Sequence, residues 1–344
     1  MTSASWSMML VVSVNAILFH AMPRFSRPDI LFAVTVPEAF AAGAGRTLVA
    51  RYRAIVWSGA TAALAIGLLL PAFLPGSGQG GMLVIGPVAG NMMVALAAWL
   101  LAHRKARAHA VPFSDVRVAS LVPRDTSLPG RTLFAAGPFA ILLATAVLVY
   151  TYRDDVRAGP ITIKPFGPLV FGGVYVAMML TMAVSLARRT RQIAVDGLAA
   201  AAEQRFRRVN VLVLVLTGYA VAVLLSVTTV QSMPAFGDAL SGRVWLVPMP
   251  IMLFNFGVAL WMFRVGQGGQ RAVAPAARQE VHGDATPDHA WKVGGLLYFN
   301  PRDPAMWVEN RVGFGYTLNM GNARAWLLIG MMMLAPMIAA RLLF

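Results

Sequence analysis

Cysteine is absent from the 344 residues, which excludes disulfides, thiolate metal sites and a cysteine nucleophile, and leaves the compartment open. Charge is scarce as well. Only 12% of residues are Asp, Glu, Lys or Arg, against about 25% in ordinary soluble domains. Acids number 14 against 29 bases, and neither kind enters the centre of a long apolar run. The chain holds no H-E-x-x-H, no G-x-S-x-G, no phosphate loop and no Cys/His metal set, so no catalytic residue, cofactor site or metal site is assigned. What is present is hydrocarbon: 58% of residues are hydrophobic and the mean hydropathy is +0.66. Apolar runs of about 20 residues recur, the length at which a helix crosses a bilayer while satisfying its own backbone.

Eight such runs fall near 3–22, 54–74, 82–102, 132–152, 168–187, 209–230, 244–263 and 324–343. The first lacks a basic leader and an A-x-A exit, and reads as an anchor helix rather than a signal peptide. The chain is therefore expected to be an all-α membrane protein. Its eight-helix transmembrane bundle would carry a small cytoplasmic β-hairpin-like insert before the last helix. Of the 29 Lys and Arg, 24 lie in segments 23–53, 103–131, 188–208 and 264–324, and the alternating segments hold only Arg153, Arg157, Lys164, Arg243 and Arg341. Loops rich in Lys and Arg stay cytoplasmic, so both termini are expected outside. The net charge of +15 then reflects topology and contact with anionic headgroups rather than nucleic acid.

No ionisable side chain sits at mid-span. The polar residues there are Asn15, Asn91 and Asn255, with Thr217 and Ser226. These asparagines are candidates for a polar bundle interior: either a cavity lined by Asn91 and Asn255 or interhelical hydrogen bonds that hold the bundle together. Gly86 and Gly90 beside Pro87 are expected to let helices approach closely. Gly-Pro steps at Gly86-Pro87, Gly137-Pro138 and Gly167-Pro168 are expected in first helical turns. His20 fits an interfacial histidine better than a proton relay. The pairs Met8–Met9, Met92–Met93 and Met178–Met179, and the run Met331–Met333, fit adaptable packing better than a copper path. Asp154 and Asp155 resemble a cation pair but fit the solvated surface of an outer loop better.

Domain boundaries follow from composition: 1–263 a seven-span bundle, 264–290 a Gly-, Ala- and Pro-rich flexible linker, 291–322 a polar cassette, and 323–344 the last span. The segment 188–208, alanine-rich and basic at both ends, predicts a short helix along the lipid surface. Within the cassette, "LLYFN" (296–300) is strand-like and "PRDP" (301–304) is turn chemistry. Beyond it the apolar residues alternate: Met306, Val308, Val312, Phe314, Tyr316 and Leu318 on one face, with Asn310 interrupting. That period predicts a half-buried strand pair or one bent strand. On the opposite face Gly313 and Gly315 bare the backbone beside Arg311 and Thr317. The residues Lys292, Arg311, Gly313, Gly315 and Thr317 thus form a candidate anion or docking patch. The competing reading is a structural plug, with Arg311 paired to Asp303 or Glu309.

The cassette resembles the C-terminal domain of unknown function of a family of uncharacterised bacterial multipass membrane proteins. The likeness is carried by Asp288, Trp291, Lys292, Gly294, Tyr298, Asn300, Pro301, Asp303, Pro304, Val308, Arg311, Gly313, Gly315, Thr317 and Asn319. Where those relatives have Pro-Lys before the arginine, this chain has Glu309 and Asn310. A second likeness follows the first span, carried by Pro23, Arg27, Pro28, Phe32, Val34, Val36 and Pro37, with Ala33 in place of the usual glycine. More distantly the same proteins are similar to the toxin-immunity membrane proteins of the Sdp system. The resemblance implies a bacterial inner-membrane location and a non-enzymatic role in envelope stress, toxin immunity or signalling. Its partners would be membrane lipids and a protein docked on the cassette. A small-molecule or lipid transporter is the alternative.

Overall fold

The computed structural model describes residues 3–27, 29–73, 80–112, 132–152, 166–189, 197–231, 233, 236, 248–272 and 286–343. The expected features at Pro28, Arg153, Asp154, Asp155, Arg157, Lys164, 190–196, Arg243 and 273–285 lie outside the described residues. Six helices among those described are long and apolar enough to cross a membrane: Ser5–Arg24, Ala44–Leu69, Ile85–Arg107, Phe134–Thr151, Gly167–Ala187 and Ala200–Gln231. The expected seventh span corresponds to a helix at Pro248–Val265, and the eighth to a helix at Ala323–Leu343 whose apolar part is Ala323–Leu334. Six helices, rather than eight, therefore meet the length and hydropathy requirement among the described residues.

The chain divides into two compact units, Met1–Val118 with Gln279–Phe299 and Val308–Thr317, and Ala119–Arg278 with Asn300–Trp307 and Leu318–Phe344. The 291–322 cassette is thus not a unit of its own; its pieces are shared between the two.

In the first unit, helices α1 (Ser3–Ala21), α3 (Ala44–Phe73) and α4 (Gly80–Arg107) pack together. A short α2 (Glu38–Ala42) precedes α3. The buried seam holds Met8, Val12, Ala16, Val56, Ala60, Ala95, Ala98 and Trp99. Alanine at so many of these positions lets backbones approach, and dispersion between close helices supplies what the hydrophobic effect cannot supply in lipid. Glycine contributes on α3 rather than α4. A Cβ at Gly59 would lie 2.6 Å from Val94 Cγ1, and one at Gly67 would strike the Met8 sulfur, whereas Gly86 and Gly90 face open space. The expected close approach at Gly86 and Gly90 is therefore corrected: the tight contact uses glycines of the neighbouring helix.

Between α1 and α2 runs a two-stranded hairpin, β1 (Ile30–Leu31) and β2 (Val34–Thr35), in register Ile30↔Thr35 and Leu31↔Val34. Its two-residue turn puts Phe32 at φ 49° and Ala33 at φ 64°. Such tight turns need positive φ at both central residues, which is why glycine is the ordinary choice. Phe32 is held there by burial: its ring meets Tyr52 and Trp99 edge-on, with centroids 5.2 and 5.1 Å apart. Its carbonyl accepts a 2.8 Å hydrogen bond from His103 Nδ1.

In the second unit, α5 (Thr132–Thr151), α6 (Gly167–Ala187) and α7 (Gly197–Gln231) pack together. The turn Gln267–Ala272, following α8 (Pro248–Val265), lies on α7, and α9 (Ala323–Leu343) packs on α6. The expected surface helix at 188–208 is instead, from Gly197 onward, the first part of α7, which continues without a break into the apolar run. Alanine-rich sequence is a good helix former, and nothing at 208–209 interrupts it.

Of the Gly-Pro steps, only Gly167-Pro168 opens a helix; Pro87 and Pro138 lie inside α4 and α5. An internal proline leaves the carbonyl four residues earlier without its donor. For Pro138 that carbonyl belongs to Phe134, and it accepts a 2.6 Å hydrogen bond from the Tyr219 hydroxyl of α7. Gly137 makes the room, since a Cβ there would overlap the phenol oxygen. Glycine, proline and tyrosine are thus one device. The remaining polar groups in these helices mostly bond locally: Thr145, Thr181, Thr217, Thr228 and Thr229 donate to the carbonyl one turn back.

Tyr219→Phe is expected to cost about 1 kcal/mol, measured as unfolding of the full chain in detergent. In a Pro138→Ala background the same substitution should cost less, because alanine restores an N–H for the Phe134 carbonyl. Additive losses in this double-mutant cycle would show that the two residues are uncoupled.

Candidate functional site

The stretch after α1 and the later polar stretch meet in the first unit, although their members stand up to 285 residues apart. The later stretch begins with two short elements, β3 (Trp291–Lys292) and β4 (Leu297–Tyr298), paired antiparallel with Trp291↔Tyr298 and Lys292↔Leu297. Gly294 and Gly295 turn the chain between them at φ 65° and 89°. A Cβ on Gly295 would overlap that of Ala33, so here the second glycine permits backbone-close packing. The Gly294 carbonyl accepts a 2.9 Å hydrogen bond from the Trp99 indole, which ties the stretch to α4.

At the centre lies Arg311, 0% exposed. A guanidinium carries five donors in a plane and must find acceptors for them when buried. Its Nη1 donates to the Ala33 carbonyl at 3.0 Å and to Asp288 Oδ1. Its Nη2 donates to the Thr286 carbonyl at 2.7 Å and to the Thr286 hydroxyl at 3.2 Å. The cation also stacks 5.3 Å from the Trp291 ring centroid, and the Trp291 indole donates to Thr286 Oγ1. The Arg311 carbonyl takes the Ser26 hydroxyl at 2.5 Å. Next to it, Arg27 reaches Glu309 Oε2 through Nε at 3.0 Å and Nη2 at 2.7 Å, with side chains 4% and 0% exposed. Phe25 and Phe314 add a ring contact at 4.7 Å.

This geometry revises the expected patch. Arg311 is interior, and its carboxylate is Asp288 rather than Asp303 or Glu309. Lys292 is exposed and bonds the His289 carbonyl through Nζ. Gly313 and Gly315 have φ 88° and 85° and shape the loop closed by Asn310 N–H to the Gly315 carbonyl at 3.1 Å. They serve a turn between β5 (Trp307–Glu309) and β6 (Tyr316–Leu318), not an open strand face. Thr317 is half-buried on β6. The predicted strand pair is present, but the clean alternation is not: Trp307, Val308 and Glu309 are buried in succession. Glu309 is the counter-charge of Arg27.

A second knot sits in the second unit. Asn319, 0% exposed, donates through Nδ2 to the carbonyls of Asn300, Asp303 and Ala305 at 2.9, 3.0 and 3.2 Å. Its Oδ1 accepts from the Asn300 and Gly321 amides at 2.9 and 3.0 Å. Asn300 Oδ1 and Asp303 Oδ1 accept from the amides two residues on, which makes the expected Pro-x-Asp-Pro turn. Gly321 is required by space, since a Cβ would lie 2.5 Å from the Asn300 carbonyl carbon. One asparagine therefore gathers the whole "NPRDP" stretch.

The bundle asparagines do different things. Asn91 is buried on α4, its Nδ2 3.5 Å from the Val12 carbonyl of α1 and its Oδ1 without a partner. Asn15 is half-buried on α1, and Asn255 is exposed on α8 in the second unit. His20 accepts at Nδ1 from the Trp57 indole at 3.1 Å. Of the methionine groups, Met8, Met178 and Met179 are buried while Met92, Met93 and Met333 are exposed. Among the described residues no group of three His, Asp or Glu is placed to hold a metal ion.

The roles of Asp288, Thr286 and Ser26 had no local signal; only contact across the chain reveals them. Arg27→Met is expected to destabilise the protein by about 3–5 kcal/mol by removing the counter-charge of the buried Glu309 carboxylate. Arg27→Met with Glu309→Leu should recover most of that loss, read as the thermal midpoint in detergent; no recovery would mean the charges contribute independently. Residues 301–326, from the Pro-x-Asp-Pro turn into the start of α9, match a family of unknown function (DUF5808). Neither a curated protein nor a solved structure matches the chain.

Proposed function

We propose that this chain is a non-enzymatic, multipass protein of the bacterial inner membrane whose cytoplasmic cassette docks a protein partner in envelope stress, toxin immunity or signalling. Eight spans with both termini outside complete this reading. The shorter helices α8 and α9 would be the last two crossings.

The observation that carries it is an exposed apolar cluster on an otherwise polar cassette. Val293, Leu296, Leu297 and Phe299 are 54, 37, 41 and 46% exposed, although the chain around them is tied down by buried hydrogen bonds. Apolar side chains held outward by a rigid frame are an interaction surface. The orientation is supported by placement of charge. In the first unit the cassette is tied to α4 and to the segment after α1; Arg24 follows α1, Arg46, Arg51 and Arg53 lie in the first turns of α3, and α4 ends with Arg104, Lys105 and Arg107. In the second, Trp307 bonds Ser185 and Arg189 at the basic end of α6. Basic helix ends favour the cytoplasmic face. The resemblance to toxin-immunity membrane proteins supplies the class of process.

The transporter reading rests on the buried Asn91 and its unpartnered Oδ1. A polar group left unmatched between helices is costly unless something occupies it.

Because the chain has no cysteine, single substitutions report topology. Arg302→Cys should react with an impermeant maleimide only after cells are opened, and Tyr152→Cys in intact cells; the reverse pattern would sink the orientation. A deletion strain should be more sensitive to envelope-active peptides. The wild-type gene should restore survival, and a stably folded Leu297→Glu, Phe299→Glu variant should not. Killing curves that do not respond to the deletion would rule out the immunity role, while full rescue by the variant would rule out the docking patch.

A further inference from the structure

The second unit contains a cleft of about 590 Å³ at the basic end of α6, within the size range of small-molecule sites. One wall is the last turns of α6, with Leu180 and Val184 offering hydrocarbon and Thr181 and Ser185 offering hydroxyls. The segment from Pro304 to Trp307 and Arg324 at the start of α9 complete the lining. Three of the lining residues are arginines, and none is acidic.

Those arginines are not equivalent. Arg189 is 6% exposed and fixed by a 3.1 Å bond from Nε to the Trp307 carbonyl, with Glu203 Oε1 3.8 Å from its Nη1. It braces the rear wall. Trp307 is fixed in turn by its indole, which donates to the Ser185 hydroxyl at 2.8 Å. Arg188 and Arg324 are exposed, and among the described residues neither guanidinium is bound by a carboxylate. Two such forks at the mouth of a braced cleft match the oxygens of a phosphate, which guanidinium binds in a planar, bidentate way.

The rest of the cleft excludes a purely ionic ligand. From the arginines the wall runs back along α6 onto Val184 and Leu180, toward the apolar middle of a membrane-length helix. On α9 the Trp326 ring is 58% exposed while its indole donates to the Met320 carbonyl. Tryptophan so placed marks the level of lipid headgroups. Within the cleft, arginines beside a hydrocarbon track fit one kind of molecule; Trp326, outside the lining, marks the level.

We infer that this cleft binds an anionic glycerophospholipid, with its phosphate on Arg188 and Arg324 and an acyl chain along Leu180 and Val184. This rests on the membrane placement proposed above but not on the docking patch or the immunity role. The lipid would tie α6, α9 and the Pro304–Trp307 segment together within this unit.

The test is native mass spectrometry of the full chain in mild detergent, titrated separately with phosphatidylglycerol, phosphatidylcholine and glycerol 3-phosphate. Retention of phosphatidylglycerol in preference to the other two is expected. Arg188→Gln with Arg324→Gln should weaken that retention about tenfold or more, and Arg104→Gln with Lys105→Gln, equal in charge removed, should leave it unchanged. Val184→Trp, which fills the track and keeps every charge, should also weaken it. Equal loss in the Arg104, Lys105 control would mean diffuse attraction and overturn the site. Equal binding of glycerol 3-phosphate would overturn the lipid in favour of a free phosphate ligand, and undiminished retention in the Arg188, Arg324 variant would overturn both. A cysteine-labelling pattern opposite to that expected would refute the membrane orientation whichever of these results is found.

Discussion

Burying a guanidinium requires acceptors for every donor in its plane, and that requirement organises the first unit. Arg311 has no route to water, so Asp288, Thr286 and Ala33 must all be in place around it. These residues come from the hairpin after α1 and from the segment before the cassette. The Arg27–Glu309 pair repeats the constraint a short distance away. Buried ion pairs are not strong net stabilisers, because desolvation consumes most of the Coulomb gain. What they do fix is which segments meet: Arg311 with 286–288 and the 32–33 turn, Arg27 with Glu309.

The same logic, with neutral groups, closes the second unit's share of the cassette. Asn319 satisfies three carbonyls and two amides that the Pro-x-Asp-Pro turn leaves without strand or helix partners. Prolines stop the chain from pairing regularly, and a buried amide side chain replaces the missing backbone pairs. Trp291, Gly294, Tyr298, Val308, Arg311, Gly315 and Asn319 are internal. The exposed groups are less distinctive in sequence: Val293, Leu296, Leu297 and Phe299 in one unit, Arg188 and Arg324 in the other.

Backbone economy also explains the helices. An internal proline would leave the Phe134 carbonyl unsatisfied in a setting without water; Tyr219 answers it, and Gly137 admits the phenol. Threonines along α5, α6 and α7 turn their hydroxyls onto their own helix. Threonines in these spans are locally satisfied, whereas among the described residues the Asn91 Oδ1 of α4 and the Ser226 hydroxyl of α7 are buried without a partner.

The mostly helical class, the positions of the long apolar helices and the Pro-x-Asp-Pro turn were legible in the sequence. Hydropathy over about 20 residues, turn chemistry and charge placement are local properties, and each can be read from a window. Local reading failed wherever a residue's role is set by what lies across from it. Period-two alternation put Arg311 on an open face, while a partner hundreds of residues away along the chain buries it. Gly86 and Gly90 fit a close-packing pattern, yet Gly59 and Gly67 face the neighbour. Glu309 lowered the expected charge of a patch and proved to be the mate of Arg27. Sequence by itself determined which segments leave water; only the tertiary structure decided which charges pair, because pairing is a property of distance in space.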